Sequence, residues 1–233
     1  MSPAGATTAE TGVREPVYVW DAVVRLTHWI VFFAIIILSV TGFYIGSPFV
    51  ISAGPATHAF VMGWMKIVHF YASIAFTAAL FLRACWMFVG PPTARWKQFV
   101  PTTRERWQNI WGTLKFYCFI TTKPPPVVGH NAMAGLAYLA VFGLYAIMLG
   151  TGLALYAVDA HAGSFMRGFD VLLPLFLGAQ RARWLHHVGM WLILAFAVQH
   201  IYSSILMSKV DKDGTIDSIF SGFKILRRGK PRG

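Results

Sequence analysis

The chain is predicted to be an all-α integral membrane protein, a four-transmembrane-helix bundle with both termini on the cytoplasmic side. Composition gives the class: 56% of the residues are hydrophobic, 12% are charged and mean hydropathy is +0.57, the balance of a chain whose solvent is lipid. Four apolar runs long enough to cross a hydrocarbon core of about 30 Å supply the helices. The distribution of Lys and Arg among the connecting loops supplies the orientation. The net charge of +11 lies outside the apolar runs and not on one face of a soluble domain, which argues against a nucleic-acid partner.

Residues 1–15 (MSPAGATTAETGVRE) are small, polar and partly acidic. They lack the apolar core of a signal peptide and read as a disordered cytoplasmic start. The bundle is expected over 16–208. Its first span runs from about Leu26 to Ile45, the second from about Met65 to Val89, the third from about Ala132 to Val158, and the fourth from about Trp184 to Met207. Glycine and proline punctuate the gaps, at Gly46–Pro48, Gly54–Pro55, Gly90–Pro92 and Lys123–Pro126, where a helix must end or turn.

The loop near 46–63 contains no Lys or Arg, whereas the loop 90–131 holds Arg95, Lys97, Arg104, Arg106, Lys115 and Lys123. The positive-inside bias therefore places 90–131 and both termini in the cytoplasm. Loop 159–183 sets Arg167, Arg181 and Arg183 against Asp159 and Asp170, and is placed outside on the total. Within 90–131, the stretch Arg106–Ile120 mixes five aromatic residues, Ile110 and Leu114 with Arg106 and Lys115; too short and polar to span, it reads as an interfacial amphipathic helix. Residues 209–233 form a basic cytoplasmic tail, in which Ile216–Leu226 is a second interfacial candidate. The two cysteines, Cys85 and Cys118, make no framework, and no C-x-x-C-H is present for covalent haem attachment.

The informative polar residues are histidines inside the spans, where polar groups are costly and usually functional. His186 and His200 lie fourteen residues apart on the fourth span. Fourteen steps of about 100° return to within about 40° of the starting direction, with a rise of about 21 Å. One helix face therefore presents an imidazole near each edge of the bilayer. His28 begins the first span on the cytoplasmic side, and His69 begins the second on the opposite side. The levels pair as His28 with His200, inside, and His69 with His186, outside. Two imidazoles from two helices at each level are the axial ligation of a b haem that exchanges electrons; two haem b groups are expected.

The same fourteen-residue step from His28 reaches Gly42, where a missing side chain would let a macrocycle lie against the backbone. From His69 it reaches Arg83, a candidate partner for a haem propionate; the plainer reading of Arg83 is a side chain reaching for the cytoplasmic boundary. His187 is the alternative to His186 for the outer iron, although thirteen residues before His200 it points about 140° away from it. His58, His130 and His161 fall in loops or at helix ends and read as solvated or interfacial. Gly143, Gly150 and Gly152 on the third span read as close-packing positions.

The segment VYVWDAVVRLTHWIVFFAIIILSVTGFYIGSPF (17–49) resembles the opening of the b-type cytochrome subunit of membrane-bound nickel–iron uptake hydrogenases. KPPPVVGHNAMAGLAY (123–138) is similar to that family's junction into its third helix, and RWLHHVGMWLILAFAVQHIYSSI (183–205) to its fourth. The resemblance covers roughly residues 16–226. It implies an electron-transfer subunit that carries no hydrogenase chemistry of its own, anchored in the lipid of the inner membrane. Its partners would be the large (nickel–iron) and small (iron–sulfur) subunits of a periplasmic hydrogenase. Electrons would reach the outer haem first, then the inner haem, then a membrane quinone as acceptor. The ligands it implies are His28, His69, His186 and His200; separately, from its place in Gly129-His130-Asn131, His130 is a candidate wall of an inner quinone pocket.

Two other functions share parts of this pattern. The four-helix di-haem plan also resembles the membrane subunit of respiratory formate dehydrogenases, so another periplasmic dehydrogenase is an alternative partner. A haem-free anchor or transporter could use buried histidines for packing or protons. A reduced low-spin b-haem spectrum separates the cytochromes from the last reading, and co-purified subunits separate the first two.

Overall fold

The structure is a computed structural model that describes residues 14–49, 60–122, 132–211 and 214–227. Four helices are long and apolar enough to cross a membrane: α1 (Ala22–Gly46), α2 (Val61–Val89), α4 (Ala132–Asp159) and α5 (Ala179–Asp211). The shorter helices are α3 (Arg104–Tyr117) and α6 (Thr215–Ser221), and two strands, β1 (Arg14–Tyr18) and β2 (Phe223–Arg227), complete the fold. Helix α1 packs chiefly on α2, and α4 chiefly on α5, so the bundle is built from two consecutive helical hairpins. Large apolar side chains such as Phe33, Phe81 and Val198 point outward, the last two more than 70% exposed, as lipid-facing positions require.

The inward faces meet in a small core formed by Ala34 of α1, Phe76 of α2, Val141 and Tyr145 of α4 and Ile193 of α5. The Phe76 and Tyr145 rings meet edge to face, 5.0 Å between centroids. Phe76 stands seven residues after His69 and seven before Arg83, and Ile193 stands seven after His186 and seven before His200. The core thus fills the middle of the bundle and leaves a polar level on each side of it.

One end of the bundle carries the β-sheet. Asp21 caps α1 by accepting from the Val24 N–H at 3.0 Å, while its second oxygen accepts from Trp86 Nε1 at 3.0 Å. One carboxylate therefore starts α1 and ties it to the end of α2. Strands β1 and β2 pair antiparallel, Glu15 opposite Leu226 and Tyr18 opposite Phe223. Trp20 donates to Ser218 Oγ at 3.0 Å, and Trp29 packs on Phe220. The last described segment is thus folded back on the start of α1. This alters the predicted boundaries: Arg14 and Glu15 belong to β1 and not to a disordered start, and 215–227 is a helix and strand docked on the bundle.

Helix α3 packs on α4 through a face that buries Ile110 and Thr113, with Trp107 and Trp111 exposed, the amphipathic character expected of the 90–131 loop. At the opposite end, short 3-10 turns over Phe165–Leu172 and Pro174–Phe176 lead into α5. Leu177 and Gly178 have φ of 58° and 100°, a left-handed reversal that lets α5 begin at Ala179. Arg181 and Arg183, expected in the loop, stand on its first turns. His58 and His130 lie outside the described residues, as do 1–13 and 228–233.

Candidate haem-binding site

Each polar level brings two histidines together from different helices. At the sheet end, the His28 ring of α1 faces the His200 ring of α5, 6.4 Å between centroids with planes at 53°. At the opposite end, His69 of α2 faces His186 of α5, again 6.4 Å apart with planes at 54°. A metal–imidazole bond of about 2 Å places the ring centre about 3.2 Å from the metal, so imidazoles on opposite sides of one ion lie about 6.3 Å apart. Both pairs meet that requirement. Among the described residues no group of three or more His, Cys, Asp or Glu converges as a metal site. An ion held by either pair would need its other ligands from a second source, such as the macrocycle of a haem.

The surroundings of the two pairs differ. Thr41, one helical turn below the end of α1, donates its hydroxyl hydrogen to the Ile37 carbonyl at 2.7 Å. Its oxygen is then left to accept from His69 Nδ1 at 2.8 Å. Since the hydroxyl hydrogen is committed to the Ile37 carbonyl, Nδ1 carries the proton and Nε2 keeps its lone pair. Helix α4 repeats the device on α5. Thr151 donates to the Ile147 carbonyl at 2.7 Å and accepts from His186 Nδ1 at 2.9 Å.

The glycine after each threonine lies under the imidazole it holds. A Cβ on Gly42 would stand 3.5 Å from His69 Cε1, and one on Gly152 would stand 3.4 Å from His186 Cε1. The step that selected Gly42 therefore found a residue at this level, beside a histidine. Gly152, read from sequence as a packing position, is its counterpart.

The sheet-end pair is held by rings. His200 stacks on Phe196, 5.6 Å between centroids and 17° between planes, and meets Tyr138 edge-on at 6.0 Å. His28 meets Trp29 edge-on at 5.3 Å. Its buried Nδ1 has no hydrogen-bond partner among the described residues. Arg83 is half-buried near this level; its Nη1 donates to the Ala94 carbonyl at 3.3 Å and its guanidinium lies 5.5 Å from the centre of the Phe99 ring.

His187 is turned elsewhere. Its Nδ1 donates to the Arg183 carbonyl at 2.8 Å, and its Nε2 lies over Gly46, where an added Cβ would stand only 2.7 Å away. The ring that faces His69 is that of His186. His161 is exposed in the turn after α4.

Sequence reasoning missed Thr41, Thr151, Tyr138 and Phe196. A signal for the first two was present: within the spanning helices the dipeptide Thr-Gly occurs twice, at 41–42 and at 151–152.

A membrane bundle with two facing imidazole pairs on either side of an apolar core defines a di-histidine cytochrome type of site. The chain matches the family model described as prokaryotic cytochrome b561 over residues 19–222, and it belongs to that family. It is 35% identical, over 90% of its length and 87% of the relative's, to a probable Ni/Fe-hydrogenase B-type cytochrome subunit of Cupriavidus necator. Similar proteins of the same description occur in Rhodobacter capsulatus, 36% identical over 92% of this chain and 83% of the relative. In Escherichia coli K12 the corresponding figures are 33%, 91% and 92%.

Proposed function

We propose that this chain is the membrane-anchoring di-haem cytochrome b of a nickel–iron hydrogenase, taking electrons from the small subunit on the periplasmic side and delivering them to quinone. The observation that carries the reading is the equal spacing of two imidazole pairs, 6.4 Å each, at opposite ends of one bundle. His28 and His200 would hold the inner haem iron, and His69 and His186 the outer. Haem b held by these imidazoles would supply one-electron exchange.

The chain's own residues do the rest. Thr41 and Thr151 present Nε2 of His69 and His186 to the metal. The core around Phe76, Tyr145 and Ile193 keeps water out of the space between the two levels. Arg83 places a cation near the inner level, where it would neutralise a propionate, and Gly42 and Gly152 leave room at the outer one. Orientation rests on charge: the sheet end carries Arg95, Lys97, Arg104, Arg106 and Lys115 on its loop and α3, which favours the cytoplasm. The Cupriavidus, Rhodobacter and Escherichia relatives, described as hydrogenase cytochrome subunits, favour the partner.

Purification from its native membrane in mild detergent, with haem stoichiometry and identification of bound subunits, tests the reading. Two low-spin b haems per chain and a nickel–iron large subunit are expected. Absence of haem would reject the cytochrome function, and co-purification of a molybdenum enzyme instead would reject the hydrogenase partner.

A further inference from the structure

Two threonines that no sequence argument required make the same contact at the outer level, and no described residue makes it at the inner one. Thr41 and Thr151 belong to different hairpins, yet each sits one residue before a glycine, back-bonds to the carbonyl four residues earlier, and accepts from a histidine of the following spanning helix. The repetition extends to the carbonyls of Leu38 and Met148, each 3.2 Å from the hydroxyl of its threonine. A threonine that only satisfied its own hydroxyl would need the intrahelical bond alone. The second bond, across helices and duplicated, serves the imidazoles.

The rest of the pattern is not duplicated. Counting thirteen residues back from each threonine reaches His28 on α1 but Tyr138 on α4, and counting fourteen forward from each outer histidine reaches Arg83 on α2 but His200 on α5. The outer level uses equivalent positions of the two hairpins, whereas the inner pair comes from non-equivalent ones. There, no threonine meets His28, whose Nδ1 is buried without a partner among the described residues, and aromatic rings surround His200.

We propose that Thr41 and Thr151 are positioning residues that lower the reduction potential of the outer haem relative to the inner one. This rests on the di-haem reading above. A hydrogen bond from Nδ1–H makes the imidazole a stronger donor at Nε2, and a stronger axial donor stabilises ferric over ferrous iron. The threonine's own bond to Ile37 or Ile147 polarises its oxygen and strengthens the acceptance. With such acceptors, among the described residues, only at the outer level, the inner haem is the better electron acceptor, and inward transfer is downhill.

The test is a redox titration of the purified chain, followed by its haem absorption, for T41V, T151V and the pair, with T41S and T151S as hydroxyl-retaining controls. The expected result is two haems per chain throughout and a rise in the outer potential in each valine variant. The rise should be larger in the double variant, with the inner potential unmoved and both serine variants matching the parent. Valine variants that keep both haems at unchanged potentials would overturn the proposal, as would serine variants that shift as far as valine. Loss of the outer haem from the valine variants alone would support the hydroxyl's role; loss from serine and valine alike would overturn it in favour of packing. A parent chain without haem would instead defeat the functional reading, so the two failures are distinguishable.

Discussion

The two levels of this bundle, outer and inner in the proposed orientation, hold the same pair of side chains at the same 6.4 Å separation by different physics. At the outer level each imidazole is fixed by a directional hydrogen bond that decides which nitrogen is protonated. At the inner level the rings are fixed by stacking on Phe196, Tyr138 and Trp29, which restrains orientation without specifying a tautomer. Ring spacing alone therefore sets what the site can bind, while the surrounding donors and acceptors set how strongly each iron would hold an electron.

The largest effects should come from removing one ligand at a time. H200A should leave one haem per chain, the outer one, and H186A should leave the inner one, as read by pyridine haemochrome against protein concentration. Retention of two haems in either variant would remove that histidine from the ligand set. Next in size is F76A, which opens a hole between the levels. Phe76 is 6% exposed, and losing a buried phenyl ring costs roughly 3 kcal/mol. Thermal melting in detergent should fall while both haems bind, because the ring belongs to neither level. A variant that lost only one haem would show that the core serves one site.

Smaller effects sharpen the contrast. R83Q takes a cation from the inner level, so the inner potential should fall and the outer should not move; an unchanged inner potential would leave Arg83 with its structural contacts to Ala94 and Phe99. The smallest is K66A at the outer end. Lys66 meets Asp159 at 3.4 Å with both side chains more than half exposed, and such pairs contribute at most about 1 kcal/mol. Stability should be unaltered, and a clear loss would mean that the outer end depends on charge as well as on hydrogen bonds.

Much of this was legible before any coordinates. Four apolar runs and their glycine–proline breaks gave the spanning helices, because lipid leaves the backbone few alternatives. The fourteen-residue step of His186 and His200 gave two levels, because helical periodicity is rigid over that distance. It also favoured His186, whose ring faces His69, over His187, whose ring turns to Gly46. The threonines were not legible. A helical threonine ordinarily bonds its own backbone, and only the placement of α2 against α1 and of α5 against α4 shows the second partner. The β1–β2 pair was equally hidden, since two five-residue strands more than 200 residues apart carry no shared periodicity. The five extra residues at the start of α5 depend on the reversal at Leu177 and Gly178, where polar sequence reads as loop.

A redox titration of the purified parent chain, with haem counted in the same sample, tests the central claim most directly. The account predicts two haems per chain, both low-spin with two axial histidines, titrating as two one-electron components. The component lost in H186A should have the lower potential. A single haem per chain, or a high-spin haem with an open axial position, would contradict it.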